Sequence, residues 1–120
     1  MISLCVRVHP GGFLAGFTAS GHAGAGAKGE DIVCAAVTAL LRTAGKVLAG
    51  EPGLTVEGQS PEPGVMRLAL EFPPEAKREW VRGVTATLLR GLADLAEEFP
   101  GRLELKIDGL KREESTEHGT

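Results

Sequence analysis

Apolar and polar residues alternate in two stretches near the start of the chain. Apolar side chains recur at every second position over residues 2–8 and again over 13–20. This period of two is typical of strands that bury one face. The turn cluster His9-Pro10-Gly11-Gly12 separates the stretches, so the pattern predicts a β-hairpin.

Two longer segments follow the period of a helix instead. The first begins after Asp31, a favourable N-cap residue, and is ended by Gly50, Pro52 and Gly53. Its predicted buried stripe consists of Val33, Ala36, Val37, Leu40, Ala44, Val47 and Leu48. The second helix is predicted over 75–99, with an inner stripe of Val81, Val84, Leu88, Leu92, Leu95 and Phe99. Its apolar surface is widened by Trp80, Leu89, Ala93 and Ala96, which indicates central burial or a subunit contact.

Three more strands complete the prediction, at 54–57, 66–72 and 103–107, with Pro- and Gly-rich breakers around them. The order is therefore ββαββαβ. It predicts an α+β fold in which one mixed or antiparallel sheet of about five strands packs with two long helices. We expect a single domain over residues 1–110 and a disordered charged tail over 111–120.

Composition narrows the class of protein. The chain has 120 residues, 42% of them apolar and 24% charged, as in an ordinary soluble domain. Its net charge of −3 argues against nucleic-acid binding. The apolar runs are expected to be too short for a bilayer and the N-terminus has no signal-peptide pattern, so no membrane partner is expected. Two cysteines make no disulfide framework, which agrees with a cytoplasmic location.

Candidate chemistry is concentrated between residues 21 and 38. His22 lies in a loop with four glycines and three alanines among ten residues, and Cys34 follows at the predicted start of the first helix. Free amide N–H groups at a helix N-terminus and a nearby imidazole both stabilise a thiolate, and such amides also suit an oxyanion hole. Gly21 and Gly24 give the backbone around His22 unusual freedom, and Thr38 lies one helical turn after Cys34. The pattern indicates a Cys nucleophile with a His general base and acid.

Simpler interpretations of the same residues remain open. A lone Cys in an apolar helix is usually a small buried hydrophobe, and Asp31 needs no role beyond capping. A zinc site built from Cys5, His9, His22 and Cys34 has no paired ligand spacing. The glycine-rich loop lacks the Walker lysine pattern of a phosphate-binding loop. No metal and no cofactor are therefore predicted.

The stretch GHAGAGAKGEDIVCAAVTAL resembles the signature of the ribosomal-processing cysteine protease family, called Prp. The family pattern is G-H-A-G, a short loop, G-x-D-I-V-C-A and then an apolar helix. The residues that match it are Gly21, His22, Ala23, Gly24, Gly29, Asp31, Ile32, Val33, Cys34 and Ala35. The resemblance is specific because many residue types recur at fixed separations.

This resemblance implies a homodimeric cysteine endopeptidase. Such enzymes remove a short N-terminal extension from one large-subunit ribosomal protein, the twenty-seventh in the usual naming, before ribosome assembly. His22 and Cys34 match the catalytic pair, and Asp31 matches an acidic residue that orients His22 or caps the helix. The segment expected to move on peptide binding consists of Ala25, Gly26, Ala27, Lys28, Gly29 and Glu30. The alternatives are a non-catalytic, ribosome-associated peptide-binding module and a redox-sensing thiol.

Overall fold

The structure, a computed structural model, describes residues 1–21, 28–60 and 64–110, with the backbone alone for 28–31. Within these ranges it contains five strands and two long helices. The strands are β1 (Ile2–His9), β2 (Phe13–Ser20), β3 (Val56–Gln59), β4 (Val65–Leu70) and β5 (Leu103–Gly109). The helices are α1 (Lys28–Ala49) and α2 (Arg78–Glu98), the latter preceded by a 3-10 turn at Glu75–Lys77. The predicted α+β class and the order ββαββαβ are confirmed.

The strands form one open, mixed sheet in the order β3-β4-β2-β1-β5. The predicted hairpin is present, since β1 and β2 are antiparallel neighbours. β4 continues the antiparallel part on one side and pairs with β3 at the edge. β5 lies parallel to β1 on the other side, which requires the crossover that α2 provides.

One face of the sheet carries the core, because both helices pack against it. Strand residues on this face alternate with exposed or half-buried polar residues on the other face, such as Ser3 and Cys5 in β1. The helices contribute buried side chains that interleave with the strand residues in one apolar cluster. Its fully buried members of large volume include Leu4, Val6, Leu14, Phe17, Val33, Leu41, Leu48, Val81 and Leu92.

A polar contact fixes α2 against an irregularity in β2. The register between β1 and β2 shifts after Arg7. Arg7 pairs with Gly16, whereas the next residue, Val8, pairs with Leu14. The Leu14 amide then donates to Thr85 Oγ1 at 2.9 Å, and that hydroxyl donates to the Val81 carbonyl at 2.8 Å. Thr85 is only 2% exposed, so its hydroxyl provides a buried acceptor for the Leu14 amide at this register shift.

Several predicted boundaries differ from the structure. α1 begins at Lys28, ahead of the predicted cap at Asp31, and its buried stripe runs through Leu41 while Val47 stays 43% exposed. β3 begins two residues later than predicted, at Val56, and is mostly exposed. Short edge strands carry few buried side chains, so their apolar pattern locates them poorly.

The expectation that the apolar runs are too short for a bilayer does not hold for α1. Its segment Ile32–Ala49 has a mean hydropathy of 1.7 over 18 residues, which is long and apolar enough to cross a membrane by length and composition. The same composition is typical of a core helix. In this chain 28% of the segment is buried, and Val33, Val37 and Leu48 are among its buried residues.

Candidate active site

Cys34 lies in a small cleft where α1 meets one end of the sheet. The cleft has a volume of about 180 Å³. Its walls come from α1, from the end of β2 at Ser20 and Gly21, and from the start of β4 at Val65 and Met66. Cys34 is half-buried, so its sulfur is neither sealed in the core nor fully solvated. A thiol in this position is accessible to a ligand that enters the cleft.

Thr38 is the polar neighbour of the thiol. Its Oγ1 lies 4.0 Å from Cys34 Sγ, as expected from the separation of four residues in a helix. Among the described residues, this hydroxyl has no other hydrogen-bond partner. The contact therefore leaves the hydroxyl free to act as a donor to a thiolate or to a bound group beside it.

Gly21 lines the cleft at the point where the chain leaves β2. Its φ of +124° lies in a region that L side chains rarely adopt. A Cβ added there would lie 2.6 Å from the Met1 carbonyl oxygen and 2.9 Å from Ile2 Cα. Glycine is required at this position because β1 passes so closely. The need for glycine is structural, because it lets the chain leave β2 at Gly21 while β1 passes close by.

The helix start differs from the prediction in a way that affects the chemistry. Because α1 begins at Lys28, Cys34 is its seventh residue and lies in the second turn. Asp31 is therefore a helical residue and not the N-cap. The first four amides of a helix lack intrahelical acceptors, and in α1 all of these precede Asp31. The amide of Cys34 lies beyond them, and the oxyanion hole predicted from free amides at Cys34 is not formed by the start of this helix.

The remaining predicted site residues fall in two groups. His22, Gly24 and Ala25–Ala27 lie outside the described residues. Lys28, Gly29 and Glu30 were predicted as part of a loop, and the structure places their backbone in α1. The prediction of a loop was wrong for these three residues, because Gly and Ala neighbours gave no apolar period from which the helix could be recognised.

Sequence reasoning missed the part of the cleft that comes from α1 beyond Thr38, from the turn between β3 and β4, and from the start of β4. The missed residues are Leu41, Arg42, Ser60, Gly64, Val65 and Met66. Arg42 follows Cys34 by eight positions, or two intervals of four, so extending the helix-face argument past Thr38 would have found it. The residues of the turn and of β4 carry no comparable periodic signal in the sequence, since only the tertiary fold brings β4 beside α1.

The other candidate ligands for a metal have different surroundings. Cys5 is half-buried on the outer face of the sheet, where its thiol donates to Asp108 Oδ2 at 3.7 Å. His9 has Nε2 2.9 Å from the Leu70 carbonyl oxygen and packs edge-on against Phe72. Within residues 1–21, 28–60 and 64–110, no three His, Cys, Asp or Glu residues are grouped so that they could hold a metal ion.

Comparison with known proteins places this geometry in a family. The sequence profile of the family described as cysteine protease Prp matches residues 1–104. No curated protein matches the chain. Among solved structures, SMU.848 from Streptococcus mutans is 31% identical, with a TM-score of 0.77 over 92% of this chain and 96% of that one.

Two structures from Staphylococcus aureus share the fold at lower identity. Both are of the essential ribosomal processing protease Prp, one with a covalently linked product peptide and one with a substrate peptide. The identities are 22% and 21%, and the TM-scores are 0.71 and 0.74. Each likeness covers 90% of this chain and the whole of the other. The fold described above is therefore shared across most of its length.

Proposed function

We propose that Cys34 is the nucleophile of this chain, which belongs to the cysteine protease Prp family, and that His22 carries the proton during peptide-bond cleavage. The chain is a cysteine protease, and only two cysteines are present. Cys34 lines a cleft, whereas Cys5 lies on the outer sheet face in contact with a carboxylate. The position of Cys34 in the cleft is the observation that carries the proposal.

The connection between Gly21 and His22 supports the second part of the proposal. Gly21 lines the same cleft as Cys34, and His22 is the next residue of the sequence. His22 therefore follows directly from a residue on the cleft wall. An imidazole is the side chain best suited to accept and return a proton near neutral pH.

The reaction then follows the general course of thiol proteases. His22 takes the proton of Cys34, and the thiolate attacks the carbonyl carbon of the scissile peptide bond. The tetrahedral intermediate collapses to a thioester as the imidazolium protonates the departing amine. A water molecule, deprotonated by His22, hydrolyses the thioester and releases the acid. Thr38 stands beside the sulfur throughout and stabilises it by a hydrogen bond.

We further propose a substrate. It is the N-terminal extension of the twenty-seventh protein of the large ribosomal subunit, removed in the cytoplasm before the ribosome assembles. The family membership supports this substrate, as does the ribosomal processing role of the S. aureus protease, which was crystallised with a substrate peptide. No cofactor is needed for this chemistry.

The direct test is to incubate the pure protein with the host's extended ribosomal protein and to measure the mass of the product. Cys34→Ala is expected to abolish trimming, because no thiolate remains to form the thioester. Cys5→Ala is the matched control and is expected to trim at the normal rate. Trimming by Cys34→Ala at an unchanged rate would refute the assignment of the nucleophile.

We also propose that two copies associate through the outer surface of the helix pair. An apolar groove of about 550 Å³ runs between α1 and α2, with Val47 43% exposed and Trp80 37% exposed on its sides. Gly83 lines the same groove and leaves open space at its Cα, which allows close approach of another backbone. A second copy presents the same apolar surface, as a two-fold contact requires.

Light scattering after size exclusion tests this surface. Trp80→Ser is expected to shift the protein towards the monomer mass. Leu110→Ser is the matched control, because Leu110 is 38% exposed and does not line the groove. Equal masses for the two variants would exclude this surface as the contact between copies.

A further inference from the structure

The cleft at Cys34 does not end at Thr38 but continues along α1. A second hollow of about 370 Å³ lies between α1 and the β3–β4 hairpin. The two hollows share four lining residues, namely Leu41, Arg42, Ser60 and Met66. The two hollows therefore adjoin, and we name the second one, beyond Arg42, the hairpin groove.

The hairpin groove has an apolar floor. Phe17, Leu41 and Leu68 line it and are almost fully buried by the sheet and the helix, and Met66 beside them is half-buried. Such a surface favours an apolar side chain, since burial removes both partners from water.

Glycines keep the hairpin groove open on both sides. Gly45 on α1 would place a Cβ 3.2 Å from Leu68 Cδ1. Gly58 in β3 lies directly across from Leu68, and among the described residues a Cβ added to it would meet only the Arg67 carbonyl oxygen, at 3.8 Å. A side chain introduced at Gly58 would therefore start on the groove side of β3, at an ordinary contact distance from the backbone.

Arg42 stands at the junction of the cleft and the groove. Its side chain is exposed, and no described residue forms an ion pair or hydrogen bond with it. A guanidinium carries five N–H donors, which suits the carbonyl groups of an extended peptide that passes from one hollow to the other.

We propose that the hairpin groove is a specificity site for the peptide substrate, and that it selects a large apolar side chain three to five residues from the scissile bond. The proposal rests on Cys34 as the nucleophile. The separation follows from helix geometry. Leu41 to Lys46 lie seven to twelve residues beyond Cys34, or roughly 10–18 Å along the axis. An extended peptide covers that distance with roughly three to five residues.

The test is kinetic and uses an internally quenched peptide that spans the processing site. Each large apolar residue is replaced by Ala in turn, and kcat/KM is measured for the wild type and for Gly58→Phe. One replacement, three to five residues from the scissile bond, is expected to lower the wild-type value roughly 10- to 200-fold, the range for lost apolar contacts in a pocket.

Gly58→Phe is expected to lower kcat/KM for the parent peptide by a similar factor and to cause little further loss with that alanine peptide. Gly58→Val fills less space and is expected to have a smaller effect. Glu57→Phe is the matched control, since Glu57 lies on the opposite face of β3, and it is expected to cleave normally. Arg42→Met is expected to slow both peptides equally, because backbone carbonyls are present in both.

The failure of this proposal is distinguishable from failure of the proposed function. Cleavage of the parent peptide at the wild-type rate by Gly58→Phe, with Cys34→Ala inactive, would overturn the groove assignment alone. A change in oligomer mass caused by Gly58→Phe would assign the groove to a second copy and overturn the proposal. Unchanged alkylation of Cys34 in Gly58→Phe, together with the kinetic losses above, supports it.

Discussion

Replacement of Gly21 by Ala tests whether the close approach of β1 fixes the wall of the cleft. At the φ of +124° an L residue is strained, at a cost of about 1–3 kcal/mol. The new Cβ also overlaps the Met1 carbonyl oxygen at 2.6 Å. Met1 is terminal and exposed, but the second close atom is the Cα of Ile2, which is only 6% exposed.

Relief of the overlap must move the start of β1. Ile2 donates its amide to the Arg102 carbonyl at 3.1 Å, and loss of this hydrogen bond costs about 0.5–1.5 kcal/mol. Ala also lowers the conformational entropy of the unfolded chain, and this offsets about 0.4–1 kcal/mol of the lost stability. The free energy of unfolding is therefore expected to fall by about 1–4 kcal/mol in Gly21→Ala.

Urea denaturation gives the measurement, and Gly101→Ala gives the matched control. Gly101 has a φ of +82°, and a Cβ there has no atom of residues 1–21, 28–60 or 64–110 within 4 Å. This variant carries the backbone strain without the overlap, so it is expected to lose less stability than Gly21→Ala. Equal losses in the two variants would show that the contact with β1 contributes nothing and would refute the reasoning.

Three further predictions concern residues away from the glycine turn. Thr85→Val is expected to lower the free energy of unfolding by about 1–3 kcal/mol, because the buried Leu14 amide loses its acceptor; Thr85→Ser, which keeps the hydroxyl, serves as control in the same urea titration. Thr38→Val is expected to slow peptide cleavage severalfold while Thr38→Ser retains it; equal rates would argue against a role for the hydroxyl. Gly83→Ala is expected to raise the unfolding free energy of the monomer by about 0.5–1 kcal/mol, since its Cβ meets no atom within 4 Å in the part of the chain that the structure describes; a loss would show strain at that position.

The sequence identifies those elements whose pattern is imposed by the core. β1 and β2 were located closely because their inward residues, such as Leu4 and Phe17, are buried by the helices. The start of α1 was misplaced for the opposite reason. Val33 is the first residue of α1 described as buried, so the residues before it carry no apolar period. The candidate site follows the same rule: the pair Cys34 and Thr38 was predictable from helical spacing, whereas Met66 is brought to the cleft only by the sheet order.

The position of Cys34 in the second turn leads to a sharper prediction about His22. A thiol in the first turn is stabilised as a thiolate by free amides as well as by an imidazole, so loss of the imidazole leaves part of its reactivity. In this structure the free amides precede Asp31, and Cys34 lies beyond them. Under the proposed mechanism, the reactivity of Cys34 is then expected to depend mainly on His22. His22→Ala is expected to lower the alkylation rate of Cys34 near pH 7 to that of Cys5, measured by mass in the same protein as an internal reference. A Cys34 that still reacts much faster than Cys5 in this variant would show that the helix, and not the imidazole, activates the thiol.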